Sequence, residues 1–201
     1  MSRGAMRRAA LAFALVLPGV AAAQTAADSA HQAWTKADVA FMSGMIHHHA
    51  QAILMAGWAP SHGASSSVQT LCARIIVSQN DEIAIMSRWL ADRHQPVPDP
   101  NAGHMMMPEM DPSAMMPGML SSAQLEKLDK ARGADFDQLF LTFMIQHHQG
   151  AITMVNALFA QGAGEEEPVF KIASGVYADQ TTEIARMQKM LAAEMFGPTA
   201  Q

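Results

Sequence analysis

The sequence predicts an all-α protein, a ferritin-like four-helix bundle made of two pseudo-repeated antiparallel hairpins. Three observations predict it. A segment running from Asp38 through Phe41, Met45, His48, His49 and Ala52 to Met55 returns 99 positions later as Asp137, Phe140, Met144, His147, His148, Ala151 and Met154. A fainter echo follows each copy, with Gln79, Glu82, Ile83 and Met86 matched by Gln180, Glu183, Ile184 and Met187. A repeat of this length, holding two helical segments per copy, reads as a pair of helical hairpins. Finally, the connection inside each copy is short and the one between copies is long, the arrangement that ferritin-like bundles use.

The elements follow in chain order. Arg3, Arg7 and Arg8 precede a short apolar run from Ala9 to Val16, a Pro18-Gly19 break and the small residues Ala21-Ala22-Ala23. Residues 1–23 therefore read as a secretory signal, too short in its apolar part to span a membrane. The expected location is secreted or periplasmic, with residues 24–201 forming one domain. Within it, hairpin 1 covers about 35–94, a Met/Pro-rich crossover 95–121, and hairpin 2 about 122–196. The first helix runs from Thr35 to Trp58 and stops at Pro60; the second runs from Ser66 to His94 and stops before Pro96. A short helical lead from Ser122 to Ala131 is broken at Gly133. The third long helix begins near Asp135 and ends near Gly162 and Gly164; the fourth begins at Pro168 behind an acidic run and ends near Gly197-Pro198.

Charge and cysteine content narrow the function. The chain carries 13 basic and 18 acidic residues. Removing the three signal arginines leaves 10 against 18, a net charge of −8. That argues against nucleic acid, and against membrane once the signal is cleaved. The single cysteine, Cys72, cannot form an internal disulfide and reads as a buried small hydrophobe. No nucleophile elbow, phosphate-cradling loop or nucleotide fingerprint is present, so an enzyme is not expected.

At about 100° per residue, Asp38, Phe41, Met45, Ala52 and Met55 form one helical stripe, with His48 and His49 flanking its centre. His47 points nearly opposite, and its counterpart is Gln146. The same wheel turns Gln79 and Glu82, and Gln180 and Glu183, inward at the height of the histidine pairs. A buried carboxylate needs a partner. Two readings stand. In one, His48, His49, His147 and His148 bond Glu82, Glu183, Asp38 or Asp137 in a structural polar layer that fixes register. In the other, the same side chains, with Met45 and Met144 beside them, converge on a metal. Methionine on a helix is nonetheless more often core than ligand. A di-iron site is disfavoured, since no Glu-x-x-His occurs; cysteine-bound structural zinc is excluded.

The crossover speaks for soft metal. Seven methionines fall between His104 and Met119: Met105, Met106, Met107, Met110, Met115, Met116 and Met119. They are interrupted by proline and lack helical spacing, so they do not read as ordinary core. Thioether sulfur selects Cu(I).

The twice-occurring pattern Asp-x-x-Phe-x-x-x-Met-Ile-x-His-His-x-x-Ala-Ile-x-Met, at Asp38–Met55 and Asp137–Met154, resembles that of a bacterial family known as domain of unknown function 305. The lead-ins Met116-Pro-Gly-Met119-Leu and Gly133-Ala-Asp135-Phe136-Asp137 resemble it too. The resemblance covers nearly all of the mature chain. It implies an exported ferritin-like bundle, in a family some of whose members are linked to periplasmic copper binding through Met and His. One departure from the repeat, Gly44 where the second copy has Phe143, leaves the two halves free to differ. The expected function is periplasmic copper or silver binding, as Cu(I), for buffering, resistance or delivery, with a copper-handling protein as a possible partner. The alternatives are a metal-free structural or interaction bundle and, third, a metal-dependent redox enzyme.

Overall fold

A computed structural model describes residues 34–100 and 116–196. The expected signal at residues 1–23 and the crossover from His104 to Met115 lie outside the described residues. Five helices follow in order: α1 (Lys36–Gly57), α2 (Ser66–Asp92), α3 (Ser122–Lys130), α4 (Ala134–Ala160) and α5 (Glu167–Phe196). Among the described residues there is no strand, and no helix is long and apolar enough to cross a membrane. The four long helices and the short lead stand close to where the sequence puts them.

Local chemistry sets the ends. Thr35 caps α1 by accepting from the Asp38 amide, while the Asp38 carboxylate accepts from the Thr35 amide at 2.6 Å. This reciprocal box satisfies two amides that the first turn leaves orphaned. Ser121 and Gln124 repeat the device on α3. Beyond α2, His94 adopts a φ of 54°, the left-handed position that usually falls to glycine after a helix. At the start of α4, Gly133 (φ 58°) turns the chain and donates its N–H to the His62 carbonyl at 2.8 Å.

α1 packs along α2, and α4 along α5, as two antiparallel hairpins; α1 and α4 then meet at the seam. Burial follows from this placement. α2 hides one stripe, Val68, Leu71, Cys72, Ile75, Gln79, Glu82, Ile83 and Met86, at the spacing of a single helical face. α1 is buried on several sides, with Met45, Ile46, His48, His49, Ala50, Gln51 and Ala52 all enclosed. Cys72 sits in this core, where burial pushes its thiol up to about 12. It is the inert hydrophobe the sequence implies.

Candidate metal-binding site

The core is two apolar clusters. One is built around Met55, Leu71, Ile75, Phe136, Phe140 and Met144. The other is built around Phe41, Met45, Met86, Trp89, Val155 and Val169. Between their positions on every long helix lie polar residues: His48, His49 and Gln51 on α1, Gln79 and Glu82 on α2, His147 and His148 on α4, Gln180 on α5. All are buried. Glu183 completes the layer, its side chain 19% exposed.

Each hairpin carries the same bond. His49 Nε2 donates to Glu82 at 2.6 Å, and His148 Nε2 donates to Glu183 at 2.6 Å. The other two histidines meet at the seam with ring centroids 3.8 Å apart. His147 Nε2 donates to the His48 carbonyl, and His48 Nε2 to the Pro117 carbonyl, both at 2.9 Å. Burial, reinforced by neighbouring histidines, holds His48 down at about 3 and His147 well below the ordinary value. Burial also lowers His148, against the opposing pull of Glu183. A neutral ring that donates from Nε2 keeps a bare lone pair on Nδ1. The Nδ1 atoms of all four histidines lack a hydrogen-bond partner.

A ring whose second nitrogen is tied to a carboxylate or carbonyl is oriented as metal-ligating histidines are. Among the described residues, however, no three His, Cys, Asp or Glu side chains come together as an ion would require. The geometry instead supplies what a register-fixing layer needs, since misalignment by one turn orphans several buried donors.

The remaining predicted residues fall elsewhere. Asp38 and Asp137 do not join the histidines. In the helix, Asp38 lies ten residues before His48, about 15 Å along the axis. Its carboxylate accepts from the Gly164 amide at 2.7 Å, in the turn of the other hairpin. Asp137 reciprocates, accepting from the Ser65 amide at 3.0 and 3.2 Å. Met45 and Met144 are fully buried in the apolar clusters, in the role usual for helical methionine. His47, turned away from the stripe, is half-buried, whereas His48 and His49 are buried. Of the Met-rich crossover, Met116 and Met119 are described, both half-buried; His104, Met105, Met106, Met107, Met110 and Met115 are outside the described residues.

The end of the crossover is fastened to the bundle. Besides the His48–Pro117 bond, Gln51 grips the Leu120 backbone twice: its Nε2 donates to the carbonyl at 3.1 Å, and its Oε1 accepts from the amide at 2.7 Å. A Cβ on Gly150 would lie 2.0 Å from the Pro117 oxygen, so only glycine lets this segment pass over α4. The Met116 sulfur meets α1 at Gly44, 3.3 Å from where a Cβ would stand, and the Met154 methyl approaches the same point at 3.4 Å. Beside them an open groove of about 230 Å³ is bordered by Ala37, Phe41, Pro117 and Met154. The sequence pattern alone did not single out Gln51 or Gly150, and it placed Met154 only as the counterpart of Met55. The signal was present in the first two, because Gln51 and Gly150 occupy matched positions of the repeat and differ.

A bundle of two like hairpins, joined at a histidine seam with residues 116–120 fastened across it, defines the class. A family model described as a domain of unknown function, DUF305, matches residues 38–191, and the chain belongs to this family. A DUF305 fragment from Deinococcus radiodurans is 28% identical, with a TM-score of 0.68 over 79% of this chain and 97% of that one. CopM in its Cu(I)-bound form is 28% identical, with a TM-score of 0.60 over 82% of this chain and 99% of CopM. CopM in its Ag-bound form, obtained by co-crystallization, is 27% identical, with a TM-score of 0.59 over 80% and 97%. No curated protein sequence matches the chain.

Proposed function

We propose that this chain is an exported, non-catalytic protein that binds Cu(I) or Ag(I) through methionine sulfur and buffers or delivers it in the periplasm. The observation that carries the reading is the seating of the crossover. A segment holding seven methionines ends in a stretch pinned to the bundle through Pro117, Gly118 and Leu120, with the Met116 sulfur lodged against α1. Thioethers match the softness of Cu(I) and Ag(I), carry no proton to compete with metal, and do not cross-link in an oxidising compartment. The similarity to CopM, solved with Cu(I) and with silver, supports the same reading.

Changing the seven methionines of the crossover to leucine tests it. The expected result is a weaker Cu(I) affinity in competition with a chromogenic chelator, with thermal stability nearly unchanged, since Met116 and Met119, the two that are described, are only half-buried. Equal copper stoichiometry and affinity in the variant would reject the reading.

The bare Nδ1 lone pairs of the histidine layer are further nitrogen donors, although among the described residues no three His, Cys, Asp or Glu side chains converge on one point. Imidazole must be deprotonated to ligate, whereas thioether need not be. Because burial holds His48 down at about 3 and His147 well below the ordinary value, copper on these rings would be released only far below pH 6.5, and copper held by sulfur would be retained there.

A further inference from the structure

We propose that Met154 of α4 is a metal ligand, and that together with Met116 it forms a two-thioether site for Cu(I) or Ag(I) over Gly44. This deepens the copper reading and rests on it. It moves one ligand from the crossover onto the rigid bundle.

Four observations converge. The repeated helical segments carry six methionines at matched inward positions, and five of them, Met45, Met55, Met86, Met144 and Met187, are fully buried. Met154 alone is not; it is half-buried against the second apolar cluster and borders the groove, while its repeat partner Met55 is core. Secondly, the point it approaches is Gly44, whose counterpart Phe143 is a buried ring in the other hairpin. The missing side chain opens a space on one hairpin only. Thirdly, that space is entered by a second sulfur residue from a distant part of the chain. The Met116 sulfur and the Met154 methyl stand 3.3 and 3.4 Å from the position a Gly44 Cβ would take. Finally, the adjoining groove has no charged side chain in its lining, which is mostly Ala, Phe, Pro, Leu and Met. A hard divalent ion finds no anionic oxygen there, whereas a soft monovalent cation of low coordination number is matched by two thioethers.

The backbone makes the pairing rigid. The backbone beside Met116 is held by the Pro117–His48 and Gln51–Leu120 bonds, and that of Met154 by α4, so both residues are brought to Gly44 before any ion arrives. Preorganisation of this kind reduces the ordering cost of binding.

The test uses the full mature chain, with Ag(I) and Cu(I) alone as probes. Met154→Leu and Met116→Leu preserve volume, and Met55→Leu is the buried control. Loss of either ligand is expected to weaken Cu(I) binding about tenfold or more, while Met55→Leu binds as the wild type does. In the wild type labelled at the methionine methyls, Ag(I) is expected to shift the Met154 and Met116 signals and leave Met55 in place. That readout stands even if a variant folds poorly. If Met154→Leu titrates like the wild type, or its methyl does not move while those of the crossover do, the inference fails and the crossover reading survives. If the wild type takes up neither ion, both fail together.

Discussion

The two hairpins make the same histidine–glutamate bond at the same length, yet they treat the crossover differently. In a strictly twofold molecule His48 would donate to the His147 carbonyl, as His147 donates to that of His48. Instead His48 turns to Pro117. The other departures cluster there. Gln51 binds the segment that its counterpart Gly150 allows past, and Gly44 admits the sulfur that Phe143 would exclude. Matched positions build the bundle, and mismatched positions build the seat for the Met-rich segment. Where a repeat is imperfect, the imperfections mark what the fold was adapted to hold.

The largest expected effect tests what the halves share. His48, His147 and His148 have lowered affinity for protons when folded, so below their ordinary value of 6.5 only the unfolded chain is protonated. Stability is therefore complete above about pH 6.5 and falls as the pH drops toward 3. Each histidine contributes a slope of up to about 1.4 kcal/mol per pH unit. Urea melts of the metal-free chain from pH 7 to pH 4 measure it; a flat profile would mean the histidines are not buried neutral.

Next comes the mismatch itself. Gly150→Ala drives a Cβ into the Pro117 carbonyl and is expected to cost about 2–3 kcal/mol, through overpacking and displacement of the segment. Gly57→Ala, whose Cβ meets nothing within 4 Å, is the control. Equal melting midpoints for the two would show that the segment does not rest on α4.

A finer comparison concerns the two glutamates. Glu82→Ala leaves the buried His49 donor unpaired and is expected to cost about 1–3 kcal/mol. Glu183→Ala is expected to cost less, since its side chain is 19% exposed against 10% for Glu82, and water can replace it. Calorimetric melts rank them, and the reverse order would break the argument from burial. The smallest effect is at the matched pair His47 and Gln146. Gln146 bonds both Gln124 and Gly118, so Gln146→Ala should cost about 1 kcal/mol, while His47→Ala stays within about 0.5 kcal/mol.

Much of this was legible in the sequence because helical periodicity is local. Proline and glycine mark the helix ends, and the wheel places His48, His49, Glu82 and their counterparts inside. The wheel failed at Asp38 and Asp137: it gives the face of a residue but not which neighbouring turn reaches it. It also failed at His48 and His147, whose acceptors are backbone carbonyls that carry no residue signature. Gly150 and Gln51 were visible only as a mismatch, because their meaning depends on a segment packed from far along the chain.

The reciprocal aspartates have a consequence for descent. Asp38 caps the turn of the second hairpin, and Asp137 that of the first. Neither hairpin thus owns the acceptor for its own turn. A lone ancestral hairpin of this design would leave its turn amide without that acceptor until it met a second copy, so its natural unit is a twofold dimer. Duplication and fusion would then turn that dimer into one chain. The tether joining its halves would owe nothing to the original symmetry and be free to acquire a chemistry of its own.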